Sequence, residues 1–220
     1  MALPPHLKIP KDELVARLDF YNDNIVLSSM NGQDTTIKYV SALDVAQALT
    51  RDMPISSGVL PENVFWWGNR DGCTAGLWRP AQVWKIALQL DPFKPAERLA
   101  LPMPGLLFLA QPGRAPWVFA AKARPTKMTD EVFNAPLFNI FTNGLSCPGS
   151  HKYPLDPSQA PEDFFLSFFT TAGDHHGNRS KKHKDLLKLW RSLNGKKTYP
   201  LDDLVKAGTL EQIIARKERG

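Results

Sequence analysis

The order of patterns along the chain constrains its fold more than any single motif. Strand-like runs with short turns occupy most of the chain before residue 150, and helix-periodic segments dominate after 160. The runs at 64–67, 82–90, 105–110 and 117–121 are apolar or alternating, and Gln111-Pro112-Gly113-Arg114 is a turn by composition. Parallel strands need crossovers of a dozen or more residues, so this succession reads as an antiparallel meander. Residues 161–169, PEDFFLSFF, carry a proline and acids in their first turn, which suits a helix start. Residues 182–193 place Leu186, Leu189, Trp190 and Leu193 on one stripe, and 209–218 read as a last short helix. Sheet first and helices after predicts the α+β class.

Ahead of the meander, residues 14–40 hold two strand-like runs joined by Met30-Asn31-Gly32-Gln33. Asn-Gly favours a hairpin because both central positions of a type I′ turn need positive φ. A short helix pattern follows, capped by Ser41, with Leu43, Ala46, Val45 and Leu49 on one face. A β-hairpin/helix unit over 1–53 is therefore expected, then a Pro-, Ser- and Gly-rich linker over 53–63, then a main domain over 60–220. The length of 220 residues accommodates this division.

Composition narrows the setting. No run approaches the ~20 apolar residues of a membrane span, and the N-terminus lacks the pattern of a signal peptide. Two cysteines make no disulfide framework, so free thiols and a cytoplasmic setting are expected. The net charge of +5 gathers late in the chain, densest at Arg179-Ser180-Lys181-Lys182-His183-Lys184. That run reads as a solvated linker or helix start; it lacks the interleaved aromatics of a nucleic-acid platform, so nucleic acid is not an expected partner. The tryptophans before residue 120 read as a core and its rim. Neither a phosphate-cradling glycine motif nor a GxSxG elbow occurs. The cysteines form no CxxC pair, and adjacent His175 and His176 point apart, so a metal site is not expected. A loop histidine acting on protons near a cysteine fits that pair better.

Chemistry concentrates in residues 134–151, NAPLFNIFTNGLSCPGSH. Cys147 follows an Asn-Gly turn and precedes Pro148-Gly149, where regular pairing stops and a thiol reaches solvent. Cys73, in NRDGCTAGLW, has no such surroundings and reads as structural or incidental. A nucleophilic cysteine needs access, a route to thiolate, and donors for the oxyanion of acyl transfer. Asn139 lies eight positions upstream, and its side-chain amide is a suitable donor, of a kind whose removal costs on the order of 3 kcal/mol. The Asn143-Gly144 turn folds Asn139 back towards the thiol. No histidine partner follows from spacing.

The segment Leu137-Phe138-Asn139-Ile140-Phe141-Thr142-Asn143-Gly144-Leu145-Ser146-Cys147 resembles the catalytic stretch of ubiquitin-conjugating enzymes. There a His-Pro-Asn tripeptide is followed by a turn with Asn/Asp-Gly and by the catalytic cysteine, eight residues after the Asn. The Asn, the turn Gly and the Cys match; Leu137 and Phe138 replace His and Pro. More broadly, the chain is similar to the prokaryotic conjugating-enzyme-like family typified by protein B of the plasmid-associated PRTRC system. The similar features include Pro61-Glu62-Asn63-Val64-Phe65-Trp66-Trp67, Trp78-Arg79-Pro80 before Val83-Trp84, and Pro102-Met103-Pro104-Gly105-Leu106. Cys147-Pro148-Gly149-Ser150, the Phe-rich FFT segment and Tyr199-Pro200-Leu201-Asp202-Asp203-Leu204 complete them.

The resemblance implies a fold like that of ubiquitin-conjugating enzymes over 60–220, preceded by the small unit. It implies that Cys147 carries a ubiquitin-like protein as a thioester and passes it to an amine, with Asn139 at the oxyanion and Asn143 and Gly144 in support. Implied partners are a ThiF-like activating enzyme and a small ubiquitin-like protein; the acceptor is unnamed, and no cofactor is needed because adenylation belongs to the partner. Family members often carry a His directly after FT, where this chain has Thr171, which makes His175 and His176 secondary candidates. The alternative is a catalytically inactive module that only binds a ubiquitin-like protein or its activating enzyme. A DNA-binding role rests on the basic run alone.

Overall fold

The computed structural model describes residues 16–22, 24–31, 34–46, 60–68, 73–171 and 178–217. The chain divides into two compact units, Met1–Val59 and Leu60–Gly220. In the first, β1 (Ala16–Phe20), β2 (Ile25–Asn31) and β3 (Asp34–Val40) form an antiparallel sheet in that order. Three strands replace the expected two, because the first run breaks where the Tyr21 N–H donates to the Asn24 carbonyl at 2.8 Å. Asn22 and Asn24 are turn formers, and no purely alternating reading of the run registers them. A helical turn over 42–46 follows. Ser41 caps it reciprocally: the Asp44 N–H donates to Ser41 Oγ at 3.0 Å, and the Ser41 N–H to the Asp44 carboxylate at 3.1 Å. Among its described residues this unit buries no apolar side chain. Gly32 and Gln33 of the expected turn, Leu49, and 53–59 of the expected linker lie outside the described residues.

The second unit is built on a six-stranded sheet. Its members are β4 (Val64–Gly68), β5 (Thr74–Arg79), β8 (Gly105–Ala110), β9 (Trp117–Ala121), β10 (Glu131–Asn134) and β12 (Lys206–Thr209). They lie in the order β12-β10-β9-β8-β5-β4, and every neighbouring pair is antiparallel. A smaller sheet pairs β6 (Gln82–Leu88) antiparallel with β7 (Glu97–Met103), and β11 (Phe168–Phe169) lies parallel to β6. The helices are α1 (Ala160–Leu166), α2 (Leu186–Leu193) and α3 (Leu210–Lys217). The α+β class with mostly antiparallel sheets and late helices is as expected.

The strand GLLFLA of β8 is buried along its whole length because both of its faces are covered. Leu106, Phe108 and Ala110 enter a core with Val118, Ala120, Phe164, Phe165, Leu189 and Trp190. Leu107 and Leu109, on the opposite side of the pleat, pack with Phe119, Val132, Ile213 and Ile214. The first core is strongly aromatic: Trp84 stacks on Phe165 at 3.9 Å, and Trp190 meets Phe138 and Phe169 edge-on. Each such side chain contributes roughly 1.5–3 kcal/mol by leaving water. Arg79 of β5 grips Glu162 of α1 through two contacts of 2.7 Å, which fixes the helix over the sheet.

Three sequence expectations are corrected. The run at 82–90 does not join its neighbours in one meander but leaves for the smaller sheet with β7. The Phe-rich run is not one helix. It stops at Leu166, Ser167 is extended at φ −71°, ψ 159°, and Phe168–Phe169 form β11. The helix expected from 182 starts at Leu186, where the Asp185 side chain accepts from the Leu187 and Lys188 N–H groups.

Candidate functional site

Residues 139–147 fold as a small antiparallel loop whose register sets Asn139 opposite Cys147. The Cys147 N–H donates to the Asn139 carbonyl at 2.7 Å, Ile140 bridges Ser146, and the Phe141 N–H donates to the Leu145 carbonyl at 2.8 Å. The tip is closed by the Gly144 N–H on the Phe141 carbonyl at 2.9 Å and by the Asn143 side chain, which accepts from the Leu145 N–H at 3.0 Å. Gly144 has φ +97°, and a Cβ there would lie 2.1 Å from the Phe119 ring, so glycine answers both the turn and the close approach. The eight-residue spacing is thus the length of this loop. Its returning limb is pinned to β9 by the Val118 N–H on the Gly144 carbonyl and the Ser146 N–H on the Pro116 carbonyl.

Asn139 is the non-glycine residue with positive φ among the described residues, at +59°. Asparagine tolerates this left-handed conformation better than most side chains. Its amide Nδ2 donates to the Phe168 carbonyl at 2.8 Å, and its Oδ1 accepts from the Thr170 N–H at 3.1 Å. The side chain therefore ties the cysteine loop to β11 across about thirty residues of chain. A carboxamide carries two N–H groups, so one is left beyond the bond to Phe168.

From below, the buried Arg179 guanidinium donates to the carbonyls of Ala135 at 3.0 Å, Phe141 at 3.3 Å, and Ile140. Ser180 is also buried, with its hydroxyl on the Asp203 carboxylate at 2.7 Å, which also accepts from the Lys182 N–H at 2.8 Å and the Tyr199 hydroxyl at 3.2 Å. Burial, then the adjacent Asp203 charge, pushes the Tyr199 hydroxyl far above the usual tyrosine range. The basic run, expected as a solvated linker or helix start, thus begins as an internal tie holding the cysteine loop.

Asn139 and Cys147 line one open cleft of about 480 Å³, together with His151, Leu166, Phe168 and Thr170. Cys147 is exposed. A turn closed by the His151 N–H on the Pro148 carbonyl at 2.9 Å brings His151 back beside it. His151 Nε2 lies 2.6 Å from Asp163 Oδ2 of α1, and the two side chains are 28% and 26% exposed. Tyr153 meets the His151 ring edge-on at 5.0 Å. Burial raises the Tyr153 hydroxyl above its ordinary range; the Ser146 hydroxyl opposes this, and charge on Asp163 and Cys147 adds to it.

His151 and Asp163 are the pair that sequence reasoning missed. Asp163 reads as a helix-start acid, and His151 as loop; the one available signal is a histidine four residues past the cysteine and a turn away. His175 and His176 lie outside the described residues. Cys73 is also exposed, but the partner its sulfur finds is the Trp67 indole N–H, at 3.2 Å. Among the described residues no group of three or more His, Cys, Asp or Glu could hold a metal ion, and no helix is long and apolar enough to cross a membrane.

A family model described as prokaryotic E2 family D matches residues 16–207, a span that runs through both units and includes the whole cleft. No curated protein and no solved structure matches the chain.

Proposed function

We propose, since the chain belongs to prokaryotic E2 family D, that this conjugating-enzyme-like protein carries a ubiquitin-like protein as a thioester on Cys147 and transfers it to an amine. The supporting observation is the loop register: it places an exposed thiol and the amide of Asn139 in one open cleft. Access to the thiol suits loading from an adenylating partner, and the open cleft leaves room for the extended tail of a ubiquitin-like protein and an approaching amine. Asn139 both fixes the wall at Phe168–Thr170 and offers its remaining N–H to the oxyanion formed on attack. The Asn143-Gly144 tip holds the register. The partners are an activating enzyme of the ThiF-like type and a small ubiquitin-like protein, as for protein B of the PRTRC system, and two free thiols fit a cytoplasmic setting.

A second reading, a binding module without chemistry, draws on Leu137 and Phe138. These stand where conjugating enzymes carry His and Pro, and both are core residues, Phe138 packing on Trp190 at 4.7 Å. That substitution serves packing and leaves Asn139 and Cys147 in place, so the catalytic reading is preferred. The test is incubation with the activating enzyme, ATP and the ubiquitin-like protein. A covalent adduct released by thiol reductant supports the catalytic reading; complex formation without an adduct supports the module.

A further inference from the structure

We propose that His151, oriented by Asp163, is the general base that removes a proton from the amine attacking at Cys147. The inference rests on the thioester reading above and adds an assignment to it.

Three observations converge. His151 lines the same cleft as Cys147 and Asn139, so the ring can reach an incoming nucleophile. Its Nε2 is 2.6 Å from the Asp163 carboxylate, and its Nδ1 has no hydrogen-bond partner among the described residues. An ionised carboxylate only accepts, so in the neutral ring it fixes the proton on Nε2 and leaves the lone pair on Nδ1. This is the base-plus-orienter logic of activated nucleophile sites, here aimed at an incoming amine. The titratable groups around the ring are Asp163 from α1, Tyr153, Lys152 and the thiol itself. Burial raises the Tyr153 hydroxyl, so it stays neutral at ordinary pH, and the carboxylate in direct contact with the ring is that of Asp163. A His–carboxylate contact this accessible adds little to stability, so its main consequence is the fixed orientation of a ring that lines the cleft.

The step balances as follows. The acceptor ammonium gives one proton to Nδ1 of His151 and becomes a free amine. Its nitrogen lone pair forms the C–N bond at the thioester carbonyl, whose oxygen takes the π electrons. Collapse re-forms the carbonyl and breaks C–S, and the departing sulfur of Cys147 accepts the second amine proton. The products are an amide, the free thiol and an imidazolium that returns its proton to water.

The test charges the protein using the activating enzyme, ATP and the ubiquitin-like protein, removes ATP, and follows discharge to free lysine between pH 6 and 9. His151→Gln and His151→Ala should charge at the wild-type rate but discharge roughly 10²-fold more slowly, with a flattened pH profile. Added imidazole should accelerate discharge of His151→Ala and leave wild type unchanged. Asp163→Asn, which holds the ring in the wrong tautomer, should slow discharge while its thermal midpoint stays near wild type. Wild-type discharge by charged His151→Ala, or equal slowing with no change in pH profile and no imidazole rescue, overturns the assignment while the thioester reading stands. Failure of wild type to charge overturns both.

Discussion

The two cysteines of this protein are both exposed, yet they sit in unlike surroundings. Cys73 lies just before β5, and its sulfur accepts from the Trp67 indole, a contact that packs an aromatic ring at the sheet edge. Cys147 ends a loop whose backbone is hydrogen-bonded on both limbs and whose underside is held by Arg179. Asn139 and His151, from the same stretch, line its cleft, and Asp163 of α1 backs His151 from further along the chain. Exposure alone therefore does not separate the two thiols. What distinguishes Cys147 is fixed backbone beneath it and polar side chains converging beside it.

The largest effect expected from this contrast is on charging itself. Cys147→Ser should abolish the reductant-labile adduct, although a stable oxyester can accumulate, while Cys73→Ser should charge as wild type. Loss of the adduct in Cys73→Ser would reverse the contrast. Next in size is the support beneath the loop. Arg179→Met removes a buried cation from the Ala135, Ile140 and Phe141 carbonyls and should cost about 3 kcal/mol or more. For a domain of this size that lowers the thermal midpoint by roughly 6–12 °C. A shift below ~2 °C would show that the loop does not depend on this tie.

Asn139→Ala should cost about 2 kcal/mol, from lost bonds to Phe168 and Thr170 and from alanine held at positive φ. Asn139→Gly should recover the backbone share of that loss, roughly 1 kcal/mol. Both variants should still charge, and both should discharge to free amine about 10²-fold more slowly. Equal discharge by wild type and Asn139→Ala would leave the residue a purely structural role. The smallest effect concerns Tyr153. Its hydroxyl is raised in the folded state, chiefly by burial, so the folded protein holds that proton more tightly than the unfolded chain. The resulting stability is fully present below the unfolded tyrosine value of about 10 and is lost as pH rises beyond it. Chemical denaturation across pH 8–11 should show that decline in wild type and less of it in Tyr153→Phe.

How much of this was legible in sequence depends on how local the cause is. The stripe Leu186, Leu189, Trp190 and Leu193 announces α2 because helix period is a property of neighbours. The spacing of Asn139 and Cys147 announces their loop for the same reason. β12, KAGT, carries no alternation and little strand preference; it is a strand because β10 offers it an edge. The Phe-rich run breaks at Ser167 because Phe168 and Phe169 pair with Ala87 and Leu88, some eighty residues away. Arg179 reads as one cation in a basic run until the fold brings three carbonyls to it. His151 and Asp163 meet because α1 is docked by Arg79 and the aromatic core, which no spacing rule encodes.

The central claim is that Cys147, and not Cys73, is the acyl carrier. Intact-protein mass spectrometry after charging, followed by peptide mapping of the adduct, tests it most directly. The account predicts one ubiquitin-like protein per chain, linked through Cys147, present in Cys73→Ser and released by thiol reductant or hydroxylamine. An adduct mapped to Cys73 or to a lysine, or a wild-type mass unchanged under conditions in which the activating enzyme itself is charged, would contradict it.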